Sequence, residues 1–347
     1  MRITEDRIRT LPKTDLHVHL DGSVRPGTML DLAAAAGIEL PVTDVDALAA
    51  YMHVDEGGDL VDYLARFETT LQLMQTDAAV ERIAYELAED AAAENVRYME
   101  VRFCPELNTR QGAAPEAVVE AALAGLRRAE SDHDITTALI LCGLRNLPTQ
   151  VSIAMAELAV AFRDRGVVAF DLAGAERGHP PIDHQPAFQI AADANMPVTI
   201  HAGEAFGPAS IHQAVHSCHA QRIGHATRLH EDSALMRFLN DFRIPLEICL
   251  TSNVQTRAAA SLEQHPLRLY FDEGLVVSLN TDNRLMSRTT VTDEYLRAHQ
   301  ALDFGWDELC RVALMGFESA FLPYAEKLAL LAAVEAEIAG LGNGVTG

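Results

Sequence analysis

Short apolar runs recur along the chain, separated by stretches whose apolar residues return every three or four positions. The runs are Asp15–Leu20, Arg97–Phe103, Thr137–Leu141, Val167–Leu172, Pro197–His201, Arg222–His225, Pro245–Leu250 and Val276–Asn280. Several are continuous aliphatic and β-branched segments, as strands covered on both faces require. The intervening stretches, such as VERIAYELAEDAAAEN and PEAVVEAALAGLRRAE, carry helical periodicity. Strands alternating with helices predict βα units and a parallel sheet. Eight such units predict an α/β chain folded as a (β/α)8 TIM barrel, although a large doubly wound sheet would give a similar pattern.

The first two predicted strands are separated by about 75 residues, far more than one barrel unit needs. Residues 26–90 are therefore expected to form a helical insertion, with helices over Pro26–Ala36 and roughly Leu60–Met74. It follows the C-terminal end of strand 1, where barrel enzymes place their sites, so a lid is expected. Residues 324–347 read as a C-terminal helix and a frayed tail. The whole, 1–347, is expected to be a single domain.

A net charge of -23 repels phosphate backbones and argues against nucleic acid as a partner. No apolar run reaches the roughly 18 residues of a membrane span. The charged start MRITEDRIRT is not expected to be a signal peptide. The five cysteines are scattered and never spaced CxxC, which argues against a disulfide framework or a cysteine zinc site. A reducing cytoplasm is the expected compartment.

The chemistry sits where the apolar runs stop. TDLHVHLDGS places His17 and His19 on one face of the first strand, just before a turn. HAGE supplies His201 and Glu204, RIGHAT supplies His225, and SLNTDN supplies Asp282 and Asn283. In a barrel these strand ends converge on one mouth. Three histidines and an aspartate would hold one Zn2+ per chain and leave a position for an activated water. A metal-assisted hydrolysis also needs a proton shuttle that is not a ligand, for which Glu204 and His225 are available. The fourth strand has no lysine, and the only two lysines are Lys13 and Lys327, so a lysine-bridged binuclear site is excluded.

TDLHVHLDGS, YMEVRFCP, DLAGAE, HAGE, RIGHAT, LTSNVQT and SLNTDN stand in the order in which they occur in the adenosine deaminase family. The chain resembles that family over nearly its whole length. The resemblance implies His17, His19, His201 and Asp282 as zinc ligands, with Glu204 exchanging a proton with purine N1. His225 is implied to orient the attacking hydroxide, Gly174 to meet the purine through its backbone, and Asp21 to lie near the ribose 5′-hydroxyl. LVDYLARFE is similar to the family's gate helix, which implies Tyr63, Leu64 and Phe67 as a cover for the purine. The implied reaction is hydrolytic deamination of adenosine or 2′-deoxyadenosine, with a small purine nucleoside as the partner. The motif H-x-E with P-C-x-x-C, belonging to the other class of zinc deaminases, is absent.

Two positions depart from the family pattern. Asn283 replaces an aspartate implied to reach N7, and its amide can donate there without first being protonated. Ala175 stands where DLAGDE is common, which alters the wall beside Gly174. A 5′-modified adenosine such as 6-aminodeoxyfutalosine is the alternative substrate. A catalytically inactive purine-binding protein is the alternative of a different class.

Overall fold

A computed structural model describes residues 2–54 and 66–343. Its strands are β1 Lys13–His19, β2 Val96–Phe103, β3 Thr136–Leu144, β4 Val167–Ala173, β5 Thr199–Ala202, β6 Arg222–His225, β7 Leu246–Ile248 and β8 Val277–Leu279. Each apolar run of the sequence overlaps one of them. They form two four-stranded parallel sheets, β1-β2-β3-β4 and β5-β6-β7-β8. Isolated parallel bridges, Phe170 to Val198 and Val18 to Asp282, span the two gaps between the sheets.

In the second sheet, β7 and β8 are shorter than their apolar runs suggest. β7 stops at Ile248 because Leu250 opens the short helix Leu250–Gln255. β8 ends at Leu279; the next residue, Asn280, still donates its backbone N–H to the Ile248 carbonyl at 2.9 Å and turns its side chain toward β1. Asn280 Oδ1 accepts from the Leu16 backbone N–H at 2.8 Å, which ties β8 to β1.

The insertion after β1 contains helices Pro26–Ala36, Val45–Met52 and Phe67–Leu71 among the described residues. The first starts with proline and ends at Gly37 in the left-handed region, φ 65°, so its limits follow from turn chemistry. The second, capped by Asp44, was not apparent from periodicity. Helix Asp77–Ala92 is capped by Thr76 and packs against β2 and helix Pro115–Asp132. The C-terminal helix spans Tyr324–Asn343. Among the described residues, no helix is long and apolar enough to cross a membrane.

The sheets enclose charge as well as hydrocarbon. Glu100, Arg102, Asp171, Arg222 and Glu247 are all buried. Arg102 bonds Asp171 at 3.1 Å and Glu247 at 2.9 Å. Arg222 bonds Glu247 at 2.7 Å and Glu100 at 2.5 Å, with the Phe321 ring 3.7 Å from its guanidinium carbon. Ionic groups this deep persist only when paired and hydrogen-bonded. Lys13 is also buried, and its ammonium donates to the carbonyls of Ile8, Arg9 and Leu11 at 2.7–3.1 Å.

Candidate active site

The strand interior ends in a cluster of imidazoles. His17 fits closely against β6: a Cβ on Gly224 would lie 2.9 Å from His17 Cε1, so only glycine admits the ring. His17 Nδ1 lies 2.7 Å from Glu247 Oε2, and His201 Nδ1 lies 3.1 Å from Asp171 Oδ2. Burial works against ionising both carboxyls. For Glu247 the Arg102 and Arg222 charges outweigh it and hold the group at about 2. For Asp171 the Arg102 charge and the hydrogen bond from His201 do the same, holding it well below the usual range. An ionised carboxylate only accepts, so each Nδ1 carries the proton and each Nε2 of a neutral ring offers a lone pair.

Those lone pairs face one another. His19 Nε2 is 3.1 Å from His201 Nε2 and 3.4 Å from Asp282 Oδ1. His17 Nε2 is buried without a hydrogen-bond partner, 3.6 Å from Asp282 Oδ1. Burial first, and then neighbouring positive charge, holds His17 and His19 well below the ordinary histidine value. Neutral nitrogens and a carboxylate converging on one point form a donor set that fits zinc. One ligand atom from each of His17, His201, His225 and Asp282 falls within 4.8 Å of all the others. His19, implied as a ligand by the sequence, lies beside this group and not inside it; His225 lies inside.

Asp282 follows the end of β8 and His225 is the last residue of β6, both in left-handed backbone, φ 59° and 64°. Such conformations cost energy for residues with a Cβ and recur at functional sites. Ser252 donates to Asp282 Oδ2 at 2.5 Å.

Glu204 is buried, and burial, followed by the nearby Glu176 charge, pushes its carboxyl up to about 7. Thr256 Oγ1 lies 2.9 Å from Glu204 Oε1, while Oε2 is 3.8 Å from His225 Nε2. The backbone around Glu204 is held separately: Glu176 accepts from the N–H groups of Gly203 at 2.7 Å, Phe206 at 2.9 Å and Ala205.

A cavity of about 260 Å³ lies over these groups, lined by Asp21, Phe67, Gly174, Glu204, His225 and Asn283 among others. That is near the lower end of small-molecule sites, about 300–1,000 Å³. Tyr63 and Leu64 lie outside the described residues. Burial pushes Asp21 up to about 7, and its Oδ1 has no hydrogen-bond partner. Asn283 Oδ1 is also buried without one, 1.8 Å from where a Cβ on Gly22 would stand. Gly22 thus makes room for the amide. Arg110 lines the cavity too, but its guanidinium is engaged by both oxygens of Glu68. A second cavity of about 790 Å³ meets the first at Glu204 and Thr256 and is lined by Ala175.

Sequence reasoning missed Asp171 and Glu247, which orient two imidazoles, and Thr256 and Glu176, which hold the shuttle candidate. The signal available was an acidic residue inside an apolar strand run, as in VVAFDLA and PLEICL.

Residues 12–337 match a family model described as adenosine deaminase. An adenosine deaminase of Mycobacterium sp. (strain JLS) is 44% identical over 347 residues, covering 95% of both chains. Among solved structures, an adenine deaminase from Arthrobacter aurescens superposes with a TM-score of 0.89 at 29% identity, covering 95% of this chain and 99% of that one. An amidohydrolase from Burkholderia ambifaria, described with bound zinc, gives 0.89 at 26% identity, covering 99% and 95%.

Proposed function

Since the chain belongs to the adenosine deaminase family, we propose that it hydrolyses adenosine and 2′-deoxyadenosine to the 6-oxopurine nucleoside and ammonia. One observation carries this reading. A buried carboxyl near neutrality, Glu204, shares a small cavity with the imidazole and carboxylate cluster without belonging to it. This is the arrangement needed to protonate a ring nitrogen next to the carbon under attack.

In this reading His17, His19, His201 and Asp282 hold one zinc ion, which when bound supplies a water acidified toward neutrality. Glu204 Oε2 gives its proton to N1, so that C6 becomes electrophilic. His225 donates toward the incoming oxygen. Asp21 meets the ribose 5′-hydroxyl, and the Gly174 backbone meets the purine edge. The buried Asn283 Oδ1 leaves the donor end of the amide for N7. Phe67, with Tyr63 and Leu64, would cover the base as a lid. Arg110 is neutralised by Glu68, which favours a nucleoside over its 5′-phosphate.

We also read the two sheets as one closed (β/α)8 barrel within a single domain. The bridges on both sides and the Asn280 contact with Leu16 support this. All five cysteines are free and buried, which agrees with a reducing cytoplasm.

The test is ammonia release by metal-analysed protein from adenosine, 2′-deoxyadenosine, adenine, AMP and 6-aminodeoxyfutalosine. Highest kcat/KM on adenosine with about one metal per chain is expected. Faster turnover of the 5′-modified nucleoside would move the substrate, and no turnover by metal-loaded protein would remove the activity.

A further inference from the structure

Leu267 opens the helix Leu267–Asp272, and its backbone N–H reaches His265 Nδ1 at 3.1 Å. A first-turn N–H has no acceptor within its own helix and can only donate. Nδ1 of His265 is therefore a lone pair, and the ring proton sits on Nε2. That Nε2 lies 3.1 Å from Asn253 Oδ1 and donates to it. The Asn253 carboxamide is thereby oriented, oxygen toward His265 and NH2 toward His225. Its Nδ2 lies 3.0 Å from His225 Nδ1. His225 Nδ1 must accept, so the proton of this second ring is also on Nε2.

Each link excludes its reverse. Turning Asn253 over would demand a proton on His265 Nδ1, head to head with the Leu267 N–H. His225, Asn253 and His265 are all buried, which keeps the relay from being short-circuited by bulk water. Burial also pushes His265 down to about 3, in keeping with a neutral ring. Together the contacts carry a fixed polarity from a backbone amide to the wall of the cavity, where His225 Nε2 faces Glu204 Oε2 at 3.8 Å.

We propose that Asn253 and His265 are positioning residues that lock His225 in its Nε2–H tautomer. His225 is then a hydrogen-bond donor at the site. It has no lone pair to give a metal there and no free nitrogen with which to take a proton from water. The proximity of His225 to His17, His201 and Asp282 does not make it a ligand. The place in the ligand set falls to His19, and all proton transfer falls to Glu204. The catalytic half of this inference rests on the deaminase reading; the tautomer does not.

The experiment is 15N NMR of the histidine rings in the metal-loaded wild-type chain at neutral pH, with His225 assigned by the signals lost in His225→Gln. Couplings from the carbon-bound ring protons distinguish Nδ1–H from Nε2–H. His225 is expected as Nε2–H. Asn253→Asp places an acceptor between both rings and is expected to move His225 to Nδ1–H. It should also lower kcat on adenosine about a hundredfold, the scale of losing one aligned donor, with metal content retained. A wild-type His225 in the Nδ1–H or doubly protonated form overturns the proposal, and this measurement needs no stability from the Asp variant. An unchanged tautomer in Asn253→Asp overturns it as well. A wild-type chain that shows Nε2–H at His225 but releases no ammonia keeps the relay and removes only its catalytic role.

Discussion

Below the imidazole cluster, Arg102 and Arg222 meet Glu100, Asp171 and Glu247, and each carboxylate faces a guanidinium. Above it, Glu204 and Asp21 are about as deeply buried and bonded to no guanidinium. The two regions use the same acidic residue types at similar depth, with opposite results. Glu247 is held at about 2, while burial pushes Glu204 and Asp21 to about 7. A buried carboxyl is an ion in the floor and a proton reservoir in the mouth, according to whether a cation accompanies it. Among the five floor residues, Arg102 Nε alone is buried without a partner. The mouth leaves Asp21 Oδ1, Asn283 Oδ1 and His17 Nε2 without partners, as a surface awaiting ligands does.

Substitutions should separate the two regions. The largest effect is expected from Glu204→Gln in the mouth, with kcat on adenosine falling about 10³-fold. Metal content and the unfolding midpoint should hold; a loss below tenfold would remove Glu204 as the shuttle. In the floor, Arg102→Met leaves Asp171 buried without its cation and Glu247 with Arg222 alone. About 3–5 kcal/mol of stability should be lost in denaturant titrations. A stable Arg102→Met chain would show that the floor tolerates unpaired charge and would dissolve the contrast.

Thr256→Val tests the mouth more finely. The isosteric change keeps the wall between the two cavities but removes the hydroxyl on Glu204 Oε1. kcat should fall about tenfold, the scale of one buried hydrogen bond, with little change in KM. Thr256→Ser should restore it; equal losses in both variants would point to packing instead.

The smallest effect is a difference of sign with pH in metal-free protein. Glu247 lies below its ordinary 4.5, so the stability it contributes is present above that value and is lost as pH falls toward about 2. Glu204 and Asp21 lie above their ordinary 4.5 and 3.8. Their contribution is therefore present below those values and is lost as pH rises through about 7. Denaturant titrations from pH 4 to 8 should show this alkaline loss shrink in Glu204→Gln. An unchanged slope would mean that Glu204 is not protonated in the folded chain.

Much of the mouth was legible because its residues stand where apolar runs stop, and a strand end is visible in one dimension. His17, His201, Glu204, His225 and Asp282 all satisfy that rule. The floor was not legible for the complementary reason. Asp171 and Glu247 interrupt apolar runs, and Arg102, which unites them, lies 69 and 145 positions away. Asn253 and His265 sit in the segment after β7, where neither period-two nor helical patterning says which side chains meet. The helix Val45–Met52 was overlooked although its cap, Asp44, was in view. Residues 55–65, with Tyr63 and Leu64, leave the gate reading as it stood.

Lysine scarcity has a practical side. Of the two lysines, Lys13 is wrapped by three backbone carbonyls, and burial pushes its ammonium down to about 7. Lys327 sits on the C-terminal helix with its ammonium on the Glu318 carbonyl, near the Arg222 end of the floor. Apart from the terminal amine, reagents that couple to amines have one side chain to find, at the far end from the cavity. With the terminal amine blocked, the protein can thus be tethered to a surface through Lys327 alone, with its cavity facing the solution.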